Sequence, residues 1–141
     1  MAALHPQLAK DCLLLGHFPL SRLLLMNDSN YPWFILVPDR NDVSEIYQLD
    51  DADQALLLQE SSALSACLMQ VFNGDKLNVA ALGNIVPQLH VHHIVRYKND
   101  SAWPAPVWGK FPARLYTEEQ LATVTQQVLP ALPANFVASN G

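Results

Sequence analysis

The stretch Gly83-Asn84-Ile85-Val86-Pro87-Gln88-Leu89-His90-Val91-His92-His93-Ile94-Val95-Arg96 places three of the chain's five histidines within four residues. Run as a strand from Leu89 to Tyr97, it alternates its side chains, so that Gln88, His90 and His92 line one face while Leu89, Val91, His93 and Val95 line the other. Two neutral imidazoles and a carboxamide on one open face can bind a metal, hydrogen-bond a phosphate or supply a nucleophilic nitrogen. A stable zinc site wants further protein ligands, and no carboxylate or thiol is tied to this strand by spacing, so no metal site is expected. His93, among aliphatics on the opposite face, is expected to be structural.

Outward from this strand the chain divides into short elements. A second strand runs from Lys76 to Ala81, separated from the first by a loop over 82–87. Before it, Asp50 or Asp51 caps a helix to about Phe72, with Leu57, Leu64, Leu68, Val71 and Phe72 at helical spacing and Asn73-Gly74 as its stop. Ser21 to Asn27 and Trp33 to Val37 read as a hairpin across the turn-rich Asn27-Asp28-Ser29-Asn30, closed by Pro38. Pro6 suits the first turn of an opening helix whose apolar face is Leu8, Cys12 and Leu15 or Leu13, stopped at Gly16. The segment 39–50 reads mostly as loop. Beyond the histidines, 101–112 is a proline and tryptophan loop, and Thr117-Glu118-Glu119-Gln120 is a capping box that starts a helix over about 118–129. Pro130 and Pro133 stop that helix, and the tail to Gly141 is expected to fray. No repeat or linker divides the chain, which reads as a single domain over 1–141.

With 50% apolar and 15% charged residues, 141 residues suffice for one core and are too few for two domains. A net charge of −5 and the lack of a basic run argue against nucleic acid as a partner. No segment reaches the roughly 18 to 20 apolar residues of a membrane span, and the opening residues lack the pattern of a signal peptide. A soluble, cytoplasmic protein is expected. Cys12 and Cys67, far apart and without CxxC spacing, read as reduced thiols packed in the interior. So few charges leave apolar surface to cover, which points to a partner subunit.

The segment from Gly83 to Arg96 resembles the signature of the histidine triad (HIT) superfamily, in which histidines recur at every second place before a run of apolar residues. Phe34-Ile35-Leu36-Val37-Pro38 is similar to that family's apolar strand ending in proline, and the helix and two strands that follow keep its order. The resemblance covers about residues 17 to 110. It implies an α+β, HIT-like fold: an antiparallel sheet of about five strands packed with a long helix, plus N- and C-terminal helices. It also implies homodimers whose sheets join, and no cofactor.

By that resemblance the activity is hydrolysis or transfer of a nucleotide at its α-phosphate through a nucleotidyl-histidine intermediate. The nucleophile is His90, at the middle triad position. His92, at the third, contacts the phosphate and serves the leaving group as general acid. Gln88 stands at the first position, where it can donate and accept hydrogen bonds but carries no proton charge. Asn27 and Asp28 match the region that holds the ribose hydroxyls, and Asn78 and Asn84 resemble residues that bind the phosphate. An ordinary Asn and Asp turn remains open for the first pair. Two further departures are Ile85, where the family often has Ser or Thr, and Trp33, where many members have another histidine. Leu25, Phe18 and Trp33 are candidate walls for the base, and the Trp103 to Gly109 loop either reaches a partner's site or covers the core. The alternative to an enzyme is a catalytically weak nucleotide-binding or interaction protein of the same fold.

Overall fold

The computed structural model describes residues 2–139. In chain order the elements are α1 (Pro6–Asp11), β1 (Cys12–His17), β2 (Ser21–Met26), β3 (Trp33–Pro38), a 3-10 turn (Ile46–Gln48), α2 (Asp51–Phe72), β4 (Lys76–Ala80), β5 (Val91–Arg96), α3 (Glu118–Val128), a second 3-10 turn (Leu129–Ala131) and β6 (Val137–Ala138). The strands form one antiparallel sheet in the order β4-β5-β3-β2-β1-β6.

The unbroken apolar runs of β2 and β3 follow from this topology. Both strands are central and covered on both faces, so neither face needs polar residues. On one face Leu23, Leu25, Phe34, Leu36, Val91 and Val95 pack with Leu57, Leu64 and Leu68 of α2 and Val128 of α3. On the other, Leu24, Ile35, Val37 and Ile94 pack with Leu8 of α1 and with Tyr31, Val86, Ala102 and Val107 from loops. The site lies on this second face.

Local signals hold α2 and α3 in place. Asp50 accepts from the Asp53 amide at 2.7 Å, and Asn73 ends α2 in the left-handed conformation at φ 49°. Thr117 and Gln120 exchange the two bonds of a capping box. By length and composition α2 would suffice to cross a membrane, yet Leu57, Leu64, Cys67 and Leu68 are buried against the sheet and its wall carries Asp51, Asp53 and Glu60. It is a core helix.

Three expectations are corrected. The opening helix ends at Asp11, because residues 12 to 17 leave it to pair with β2, Leu13 opposite Leu25 and Leu14 opposite Leu24. The expected antiparallel sheet of about five strands is present with six. The sixth comes from the tail expected to fray, where Val137 and Ala138 pair with His17 and Gly16. That pairing needs glycine, since a Cβ at Gly16 would collide with the Val137 carbonyl oxygen. Both cysteines are free thiols; Cys67 is buried, Cys12 half-buried, and burial beside Asp11 pushes the Cys12 thiol up to about 12.

Candidate functional site

The histidine strand starts later than its sequence suggests. β5 begins at Val91, opposite Leu36, while the Leu89 amide donates to the Val43 carbonyl at 2.9 Å instead of joining the ladder. Of the three residues expected on one strand face, only His92 lies in the sheet. Gln88, at a bend, and His90 precede it outside the ladder, and the structure still brings the His90 and His92 rings together, centroids 4.8 Å apart.

Hydrogen-bond partners fix the tautomer of each neutral ring. His90 Nδ1 lies 2.7 Å from the Gln88 carbonyl oxygen, which can only accept, so in the neutral ring Nδ1 carries the hydrogen and Nε2 the lone pair. His92 is the reverse case. Trp33 Nε1 donates to His92 Nδ1 at 3.0 Å, and an indole N–H can only donate, so the hydrogen of the neutral ring sits on Nε2. His93 has Nδ1 3.0 Å from the Val91 carbonyl and Nε2 2.7 Å from Ser61 Oγ on α2, so the Ser61 hydroxyl donates to it. Burial, followed by the nearby His90 and His93, pushes His92 down to about 3. Burial likewise pushes His93 down to about 4 against the Val91 bond. Both rings are neutral at physiological pH.

The Gln88 carboxamide is occupied by the N-terminal segment. Its Oε1 accepts from the His5 amide at 2.8 Å and its Nε2 donates to the Ala3 carbonyl at 2.9 Å. Thus Gln88 serves His90 through its backbone carbonyl and fastens residues 3–5 through its side chain.

Asn27 and Asp28 are engaged with a late segment of the chain. Asn27 Oδ1 accepts from the Tyr116 amide at 2.9 Å, and Asp28 Oδ1 accepts from the Asn30 amide, the Asn30 side chain and the Arg114 amide. They border a cleft of about 470 Å³ whose other walls include Trp33, Val107, Trp108 and Phe111. Trp33 and Trp108 also pack edge-on against His92, with centroids 5.7 and 5.1 Å away, so the cleft adjoins the histidines. Leu25 and Phe18 are buried in the core on the other face of the sheet and wall nothing here; Trp33 alone of the three does.

Asn78, on β4, spends its Oδ1 on Arg96 Nη1 at 2.8 Å. Asn84 lies exposed in the loop between β4 and β5. Arg96 is fully buried and also holds Asp100 with two bonds, Nε to Oδ2 at 2.9 Å and Nη2 to Oδ1 at 3.0 Å, and the Ala105 carbonyl at 2.9 Å. Burial alone would raise the Asp100 carboxyl, but the Arg96 bonds and the Tyr97 and Trp103 amides outweigh it and hold it below the ordinary value. This cluster ties down the loop that carries Trp108.

The sequence offers Trp33 as a missing histidine and as a wall for the base, but not as a donor to His92; it singles out the loop of Trp108 without assigning that ring to the histidines, and it does not find Ser61. An aromatic with an N–H at the start of β3, the strand that pairs with β5, is the available signal for Trp33. Ser61 and Trp108 reach the histidines from 32 and 16 residues away, and nothing local marks them.

A family model described as the HIT domain matches residues 7–99. The chain is similar to a histidine triad protein from Marinobacter aquaeolei, with 57% identity and a TM-score of 0.92 over 94% of this chain and 96% of that one. It is also similar to a histidine triad protein from Bradyrhizobium japonicum, with 43% identity and a TM-score of 0.91 over 93% and 98%. A hypothetical histidine triad nucleotide-binding protein from Sulfolobus tokodaii shares the fold alone, at 13% identity and a TM-score of 0.65 over 85% and 83%. No curated protein matches the chain.

Proposed function

Because the chain belongs to the HIT domain family, the histidine triad proteins, we propose that it is a nucleotide hydrolase or nucleotidyltransferase working through a nucleotidyl-histidine on His90. The observation that carries this is the pair of complementary rings: His90 with a free Nε2 lone pair, and beside it His92 with an Nε2–H. A nucleophile needs the first and a phosphoryl oxygen needs the second.

In this reading His90 Nε2 attacks the α-phosphorus, the bond from phosphorus to the leaving group breaks with its electron pair departing on that group, and the Gln88 carbonyl stabilises the positive charge that then develops on the ring through Nδ1–H. The His92 Nε2–H donates to a phosphoryl oxygen. Water next attacks phosphorus, and the P–N electron pair returns to His90. Asn27 and Asp28, at the mouth of the cleft, hold the ribose, and the indoles of Trp33 and Trp108 give the base an apolar wall. Asn84 is free to reach the phosphate. Asn78 acts there only through its amide, since its oxygen is taken by Arg96.

Incubation with a dinucleoside polyphosphate is expected to release the nucleoside monophosphate and, in intact-mass spectra, to leave a nucleotidyl adduct. His90→Ala should abolish both while melting as the parent does. Unchanged turnover in that variant would overturn the mechanism. The tethered Gln88, which cannot ionise, favours the second reading, a nucleotide-binding protein without turnover, which predicts a raised Tm with monophosphate and no product.

A further inference from the structure

We propose that Trp33 is a positioning residue that keeps His92 a neutral hydrogen-bond donor which gives up no proton, restricting the site to nucleotides whose leaving group departs as a stable oxyanion. Such substrates are phosphoric anhydrides; phosphoramidates, whose leaving group is an amine, are disfavoured. The inference rests on the nucleotide-transfer reading above and names the substrate class for that site.

The geometry begins at Trp33 Nε1, 3.0 Å from His92 Nδ1. To act as a general acid His92 must first carry hydrogens on both nitrogens. Its Nδ1–H would then point at the indole N–H, two donors facing each other with no acceptor between them. Trp33 cannot turn aside to relieve this, because it is buried and its ring is gripped edge-on by Tyr31 and Trp108 as well as by His92. The titratable groups that face His92 supply no compensating negative charge. The one that packs on it is His90, and His93 lies next to it in sequence on the opposite sheet face; both disfavour a positive charge on His92. Further along the same sheet face, Arg96 is already paired with Asp100. Across the two indoles the cleft holds Lys10, Asp11 and Asp28, of which Asp28 accepts three hydrogen bonds and Asp11 accepts from Gln7. Nor does the loop before β5 offer a hydroxyl, for residues 81–90 include no Ser, Thr or Tyr and Ile85 is 87% exposed.

The chemistry divides substrates accordingly. When His90 Nε2 forms its bond to the α-phosphorus of an anhydride, the P–O bond breaks and its electron pair leaves on a phosphate oxygen, which needs no proton. With a phosphoramidate the P–N pair would have to leave on nitrogen as an amide anion unless a proton arrives first. A neutral His92 can hold the phosphoryl oxygens through Nε2–H in either case, but it meets the requirement of the first substrate only.

Two measurements on the intact protein test this. In ¹⁵N spectra His92 should be the Nε2–H tautomer and should not titrate between about pH 5 and about pH 8, the range of an ordinary histidine. In steady-state assays kcat/KM for diadenosine tetraphosphate should exceed that for adenosine 5′-phosphoramidate by at least about 100-fold, the low end of a general acid's contribution. In Trp33→Phe, which keeps an aromatic ring and loses the N–H, His92 should begin to titrate and phosphoramidate turnover should rise about tenfold toward acid pH while anhydride turnover does not rise with it. Trp33→His, which can accept or donate, should move the same way. An Nδ1–H tautomer, ordinary titration of His92 in the parent protein, or equal use of the two substrates would overturn the proposal. Absence of turnover with both substrates would overturn the nucleotide-transfer reading, and the tautomer would then still decide whether Trp33 locks the ring.

Discussion

His93 is wholly buried between β5 and α2, with both ring nitrogens engaged, and this makes the fold sensitive to acid. In the unfolded chain a histidine takes its proton near 6.5, whereas here His93 and His92 take theirs only near 4 and 3. Between those values the unfolded state binds more protons, so the stabilisation is complete above 6.5 and is lost as the pH falls toward 4. At 1.36 kcal/mol per pH unit, each ring accounts for about 2 kcal/mol between pH 6.5 and 5. Denaturant midpoints should fall over that range, and His93→Asn, though less stable at neutral pH, should show a slope smaller by one proton. An unchanged slope would mean that His93 takes up its proton in the folded state as readily as in the unfolded one. The alternation of the strand already assigned His93 to the buried face. It could not supply Ser61, because a hydroxyl one layer away leaves no mark on local spacing.

At the scale of elements, the loop after β5 depends on a buried ion pair. Arg96 and Asp100 are nearly inaccessible, and Arg96 also lies over the rings of Tyr31 and Trp103, 5.5 and 5.7 Å from their centroids. Removing one partner strands the other charge in the interior. Arg96→Ala should cost about 3–5 kcal/mol by denaturant unfolding, and Arg96→Ala with Asp100→Ala should cost less than the two singles summed. Additivity would mean that the pair is not coupled. The same contrast of local and distant causes decided which elements were legible. The hairpin of β2 and β3, the Asp50 cap, the Asn73 stop and the Thr117 capping box are written within a few residues each, and all stand in the structure. The start of β1 is not local. Leu8, Cys12 and Leu15 have helical spacing, but pairing with β2 sends Leu8 and Leu15 to opposite faces of the sheet.

For the whole molecule, one edge of the sheet is unfinished. β4 lies at the end of the strand order; its Val79 is 50% and the nearby Leu58 of α2 68% exposed. They line an apolar cleft of about 590 Å³ with Ile46 and Leu57. An edge with free backbone groups next to apolar surface is suited to a second copy of the chain, whose β4 would extend the sheet, and we propose that homodimer. Light scattering should give twice the 15.7 kDa chain mass, and Leu58→Asp with Val79→Lys should give a monomer. A parent protein that is monomeric at assay concentration would remove the proposal. By itself the sequence determined the place of the central strands and long helix and the histidine cluster, because periodicity, caps and turns act over a few residues, while the α+β class came through the resemblance to the HIT family. Only the tertiary structure decided that residues 12–17 are a strand, that the tail adds a sixth, and that Trp33 and the Gln88 carbonyl give His92 and His90 opposite tautomers. Those outcomes depend on donors and acceptors brought together from distant parts of the chain.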